Sequence, residues 1–342
     1  MMTRPFLKID LSTYMDRFVS LSLTTLMLFL LAACDGSQLP SKSGENAVKG
    51  IYSASLSQNG KLSIIGSITH GGSLWTTRNN ERRFDWNHNK GEPTNIIASG
   101  FSPDGLFAMT ADHQTMVLWD TTTGEAVTFW TAPNEVLSIE LTPSGNYALL
   151  GLGDYTAVLF DVKRGGIQRT FYHQDRVRSV ALSVNGKLAV SGSEDRTAKL
   201  WDMASGKEIF SWDHKEEVVT VAIAPNGKKA LTVAKYDKAV IWSTTTGKAL
   251  GNLALSASAI KRGQTFTSAR FSDDGRLLLT GNSNRLVQLW DTRSFKQLAS
   301  WTVPKRDLWR PTSASIVAVS FSIKQDVYYA IASNGFTHQL KR

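Results

Sequence analysis

The chain has 342 residues, 42% hydrophobic and 20% charged, a balance that excludes a disordered polypeptide and allows one large or two ordinary domains. A single cysteine excludes an internal disulfide framework and any cysteine-based zinc cluster. Lysine and arginine number 38 against 29 aspartate and glutamate, a net +9 that points either to anionic partners such as headgroups, envelope polymers and acidic proteins, or to a plainly solvated basic surface.

The first element is an apolar run. Arg17 precedes sixteen uncharged residues, FVSLSLTTLMLFLLAA, and then comes Cys34. A positive segment, an apolar stretch and small residues before a cut site predict a signal helix over residues 1–33. The run is short of the roughly 20 residues of a membrane span. Met15 gives a more compact start to this signal than Met1. Arg4, Lys8 and Arg17 stand against Asp10 and Asp16 here, so residues 35–342 keep +8 of the charge.

Leu31-Ala32-Ala33-Cys34 resembles the lipobox of bacterial lipoproteins. The resemblance implies lipidation of Cys34, cleavage before it, and a membrane partner reached through acyl chains. Each buried methylene contributes about 0.8 kcal/mol and one chain alone holds weakly, so several chains make a durable anchor. Asp35 resembles the inner-membrane retention signal of enteric lipoproteins, which favours the periplasmic face of the inner membrane, with the outer membrane as the alternative. Residues 34–46 are polar and read as a lipidated tether, leaving 47–342 as the folded domain.

That domain repeats. A turn recurs with glycine at Gly60, Gly105, Gly145, Gly186, Gly227 and Gly275, spaced 45, 40, 41, 41 and 48 residues, with a degenerate copy, FSIKQD, near Gln325. Asn-Gly and Asp-Gly between β-rich runs supply the positive φ of a tight hairpin. A second landmark recurs in the same frame: LWTT at Trp75, LWDT at Trp119, LFDV at Phe160, LWDM at Trp201, IWST at Trp242 and LWDT at Trp290, with Leu340 in the last copy. Each unit therefore predicts four short strands. Such a sheet buries both faces only by stacking radially with its neighbours.

At these residues the chain resembles the WD-repeat β-propeller family. The resemblance implies an all-β, seven-bladed propeller of four-stranded antiparallel blades, its ring closed by an N-terminal segment at about residues 40–48. It also implies a structural hydrogen-bond set in one blade: His173, Ser191, Asp195 and Trp201. Tyr236 replaces the expected aspartate in the fifth blade. In the second, His88 is out of register and His113 stands where aspartate belongs, so several blades are expected to rely on packing alone.

No histidine pair has metal-ligand spacing, and no serine elbow, phosphate loop or second cysteine is present, so no catalytic residue, metal or cofactor is expected. Asp120, Asp202 and Asp291 follow the blade tryptophans and are expected to bond backbone. Quinoprotein-type propellers are similar, but Trp130 and Trp212 lie six residues past their glycines, off that family's docking spacing. FSPDG also resembles a periplasmic propeller family of envelope integrity, from which the Trp-Asp copies point away.

Two insertions precede the sixth and seventh units. Lys261, Arg262, Phe266, Lys305, Arg306, Leu308, Trp309 and Arg310 combine charge with apolar surface there. Tryptophan and arginine are enriched at interface hot spots, so these residues are candidates for binding an envelope protein or peptide rather than nucleic acid. The alternatives are an enzyme or small-ligand binder using the central channel, and a binder of anionic envelope polymer.

Overall fold

The computed structural model describes residues 36–89, 91–253, 264–307 and 314–342. The repeat begins at a serine-led turn. Ser57 Oγ accepts the Leu62 N–H at 3.0 Å and donates to Asn59 Oδ1 at 2.9 Å, and Asn59 Oδ1 accepts the Lys61 N–H at 3.0 Å. Gly60 completes the turn at φ +65°, where a side chain strains the backbone. Ser102 with Asp104, Ser183 with Asn185 and Ser272 with Asp274 build the same closure.

These turns fold the chain into seven four-stranded antiparallel sheets. Blades 1 to 6 span residues 51–85, 98–131, 136–172, 177–213, 218–253 and 266–302, each with strands a to d in chain order. Blade 7 takes strands a to c from residues 316–341 and its outermost strand from Lys42–Glu45, paired from Lys42 with Gln339 to Glu45 with Phe336. The a strands of all seven blades line a common axis, so the architecture is a seven-bladed β-propeller closed by an N-terminal strand within the expected segment.

One boundary is corrected. Residues 34–46 are not all tether, because the Gln38 N–H donates to Ser300 O at 2.8 Å and the Ser41 N–H to Gln339 O at 2.8 Å. The polarity that reads as a linker is that of an outermost strand with one face in water. The chain divides into two units, Met1–Ser37 and Gln38–Arg342, and the second holds every sheet.

Seven apolar clusters fill the seams, one between each pair of adjacent blades. Hydroxyls staple six of the seams near the axis. Ser53 donates to Ile96 O at 2.7 Å, Thr220 to Phe266 O at 2.9 Å, Ser268 to Ile316 O at 3.2 Å and Ser320 to Ser57 O at 2.8 Å. Ser138 and Ser179 accept the N–H groups of Val180 and Val221, both at 3.1 Å. At the remaining seam Gly100 lies so close to Ile139 that a Cβ would stand 2.5 Å from its carbonyl oxygen.

At the rim, tryptophans from one blade dock on the next. Trp86 stacks on Trp119 with ring centres 5.2 Å apart, and Trp212 on Trp242 at 5.1 Å. The indoles of Trp86, Trp130, Trp212 and Trp301 each donate to a carbonyl of the next blade, at 3.1, 2.9, 2.9 and 2.9 Å. Spacing that departs from the quinoprotein repeat thus still serves a docking contact of its own.

Candidate functional site

Strand d of blade 3 delivers His173 to the edge of blade 4. Its Nδ1 lies 2.9 Å from Asp195 Oδ2 and its Nε2 2.7 Å from Ser191 Oγ, and the Trp201 indole N–H donates to the same Oγ at 2.8 Å. The network assigns the proton of neutral His173 to Nδ1, with Ser191 donating to Nε2. Burial pushes Asp195 upward, but hydrogen bonds from His173, the Gln174 N–H and Thr197 outweigh it and hold the carboxyl well below the usual range. Serine, histidine and aspartate stand here in the order of a hydrolytic triad. Ser191 is only 1% exposed and its oxygen is occupied by the indole, so a substrate has no approach.

Blade 2 corrects the expectation that it relies on packing alone. His88 Nδ1 lies 3.0 Å from Asp112 Oδ2, His88 Nε2 2.9 Å from Thr110 Oγ1, and the Trp119 indole donates to Thr110 Oγ1 at 2.8 Å. Its b–c turn is one residue shorter than that of blade 4, and Asp112, not position 113, supplies the carboxylate. Blade 5 is incomplete. Trp242 donates to Thr232 at 2.7 Å, but Tyr236 replaces the carboxylate and His214 Nε2 is buried without a partner. Asp120, Asp202 and Asp291 each accept backbone N–H groups of the adjoining c–d turn.

Of the eight residues proposed for the loop end, Phe266 and Arg306 serve the ring itself. Phe266 is fully buried against Trp290, with ring centres 6.1 Å apart, so it is core and not contact surface. Its alternation along strand a directs it inward, whatever the insertion before it. Arg306 is also corrected: it donates to Asn334 O at 2.7 Å, to Ala47 O and to Glu45 Oε1 at 2.7 Å, and lies 4.8 Å over the Phe336 ring. It latches the closing segment to blade 7. Lys305 is half-buried. Lys261, Arg262, Leu308, Trp309 and Arg310 lie outside the described residues, as do Cys34 and the expected signal helix.

Of two concavities, the central channel is the expected one and the rim cleft is not. A third long connection, 86–97, borders a cleft of about 670 Å³ between blades 1 and 2, lined by His70, Arg82, Asp85, Trp119 and Phe129 among others. The excess is visible in the 45-residue interval from Gly60 to Gly105. The axial channel holds about 400 Å³. Glu140 of blade 3 and Arg270 of blade 6 enter it, surrounded by protein yet open to the channel, and burial lifts Glu140 to about 7 against the opposing charge of Arg270. The Gln58 amide donates to Asp273 Oδ1 at 2.9 Å and narrows one mouth from blade 1 to blade 6.

Among the described residues, no group of three or more His, Cys, Asp or Glu side chains is arranged to hold a metal, and no helix is long and apolar enough to cross a membrane. A model of the WD40 family, the WD domain or G-beta repeat, matches residues 165–202 and 260–291. Both matches end at the Trp-Asp aspartate that closes strand c, in blades 4 and 6. No curated protein matches the chain significantly.

Proposed function

Since the chain is a WD-repeat β-propeller, we propose that it works as a membrane-anchored lipoprotein whose ring is a non-catalytic scaffold for a protein or peptide of the bacterial cell envelope. Leu31-Ala32-Ala33-Cys34 supports lipid attachment at Cys34, and Asp35 supports the periplasmic face of the inner membrane. The observation that carries the scaffold role is the contrast between ring and connections. Apolar clusters fill every seam, while the sequence inserts long connections, 254–265 and 303–315, after the outermost strands of two consecutive blades. A rigid ring presents such connections at low entropic cost, and a tether raises local concentration at the membrane.

The test uses membranes from cells carrying the wild-type chain, Cys34→Ser, or Trp309→Ala/Arg310→Ala. Cys34→Ser is expected to lose the added acyl mass and stable membrane retention. The double variant is expected to stay in the membrane and recover less crosslinked partner. Equal partner recovery by wild type and double variant removes the loop end as the interface.

Glu140 and Arg270 favour a second reading, a small zwitterionic solute bound in the channel. Thermal-shift measurements with amino acids and betaines would then give a shift that Glu140→Gln abolishes. A panel without any Glu140-dependent shift removes this reading.

A further inference from the structure

Charge is divided unequally between the two ends of the ring. The a–b and c–d turns share one end of every blade, because consecutive antiparallel strands alternate direction. Contacts tie those turns together: Thr121 Oγ1 donates to Gly105 O at 2.7 Å, Thr292 Oγ1 to Gly275 O at 2.8 Å, and the Ser144 N–H to Asp104 Oδ2 at 3.1 Å across blades. These turns contain twelve lysines and arginines against five aspartates and glutamates. The connections at the other end contain thirteen against eleven. The turn end therefore carries most of the net charge.

Its cations are also uncommitted. All twelve are exposed, Lys187, Lys228, Lys248, Arg276 and Arg293 among them, and none forms an ion pair among the described residues. At the other end Arg176 pairs with Glu135, Lys235 with Glu217 and Arg306 with Glu45. The acids of the turn end are partly consumed by backbone: Asp274 accepts the Arg276 N–H at 2.9 Å and Asp104 the Leu106 N–H at 3.0 Å.

A second observation concerns where the chain enters the ring. Strand Lys42–Glu45 runs antiparallel to Phe336–Lys341, so the residues before Lys42 lie level with the end of that strand. Gln38 pairs with Trp301, whose indole donates to Lys341 O at 2.9 Å, and the Arg342 N–H donates to Asp326 O in the a–b turn of blade 7 at 3.0 Å. The entry point is thus at the basic end. Only Asp35, Gly36 and Ser37 separate Cys34 from Gln38, and four extended residues reach no more than about 14 Å.

We propose that the end of the propeller formed by the a–b and c–d turns docks on the anionic phospholipid headgroups of the membrane that holds the chain. The inference rests on the anchored reading above. A short leash emerging at the basic end brings that end to the bilayer and turns the opposite end of the blades away from it. Basic side chains near an anionic surface are attracted to it additively, and the attraction fades within a Debye length.

The test places the full-length lipidated chain in nanodiscs of phosphatidylcholine alone or with phosphatidylglycerol, and measures lysine acetylation rates by mass spectrometry. Labelling of Lys187, Lys228 and Lys248 is expected to slow by about fivefold or more in the anionic discs and to recover at about 1 M salt, while Lys215 and Lys235 stay unchanged. Lys187→Glu/Lys228→Glu is expected to abolish the protection of Lys248. Equal rates in both discs, or protection of Lys215 instead, overturn the proposal while leaving the anchor intact. Protection by soluble polyphosphate but not by anionic discs overturns it in favour of an anionic polymer. A chain that leaves both discs fails as an anchored protein and takes this inference with it.

Discussion

Asp195 shows what one carboxylate holds in place. It accepts from His173, the Gln174 N–H and Thr197, and so joins the d–a connection to the b–c turn of the next blade. Asp195→Ala strands a buried imidazole and is expected to cost about 2–4 kcal/mol. Asp112→Ala, in the second network, is expected to behave alike. Asp154 occupies the same repeat position in blade 3 but bonds only Thr156, so Asp154→Ala is expected within about 0.5 kcal/mol of wild type. Urea midpoints check the ranking, and equal losses in all three would refute it. His338 gives a pH signature. It is fully buried in the closing blade, its Nδ1 is 2.8 Å from Ser43 Oγ, and burial lowers it to about 4. The unfolded chain takes up this proton near pH 6.5 and the native chain does not. Its contribution is therefore whole above pH 6.5 and is lost as pH falls towards 4, by about 3 kcal/mol. Melting temperatures of wild type and His338→Gln between pH 7.5 and 4.5 should diverge in slope, with wild type the steeper at the acid end. Parallel curves would exclude this histidine.

Strands and turns are the most legible level. Glycine and tryptophan landmarks recur at a nearly fixed interval, and each blade repeats one solution to one packing problem. The departures are local. Blade 2 has a b–c turn of different length and takes its carboxylate from 112 and not 113, which a fixed-spacing reading passes over. The insertion beside Phe266 makes it read as surface, although strand alternation directs it inward. Arg306 looks free in sequence because its partners, Glu45, Ala47 and Asn334, are distant in the chain or are backbone carbonyls. Glu140 and Arg270 are readable in principle. They occupy equivalent strand-a positions where the other blades have Ser55, Gly100, Ala181, Ala222 and Ser320. The closing segment supplies the element's own prediction. Arg306→Ala removes hydrogen bonds to two carbonyls and an ion pair and leaves those carbonyls short of donors. A loss of about 2–4 kcal/mol is expected, with faster amide exchange in Lys42–Glu45 and Phe336–Lys341 than in blade 4. Uniform acceleration across all blades would mean that Arg306 is not a local latch.

At the scale of the ring, closure makes opposed charges on remote blades act together. Glu140 and Arg270 come from blades 3 and 6 and face one channel only because the circle is complete. Burial raises Glu140 to about 7, and Arg270 limits the rise. The sign is opposite to that of His338. A carboxyl whose native pKa is raised favours the fold below about pH 4.5, and that contribution is lost as pH climbs through 7. Between those values the histidine gains with pH while the carboxyl loses, so the wild-type profile is flattened by two slopes that nearly cancel. Glu140→Gln removes one of them. It is expected to match wild type at pH 4.5 and to exceed it by about 1–2 kcal/mol at pH 8.5, the full shift being discounted because the channel admits water. Arg270→Met leaves the carboxylate unopposed and is expected to be destabilised most at pH 8.5 and least at pH 4.5. Adding Glu140→Gln to Arg270→Met should return most of that loss, because no carboxylate is then left in the channel without its opposing charge. Chemical denaturation of the four chains at both pH values reads this coupling as a double-mutant cycle. Additive effects at pH 8.5 would show that the two residues do not sense each other across the axis.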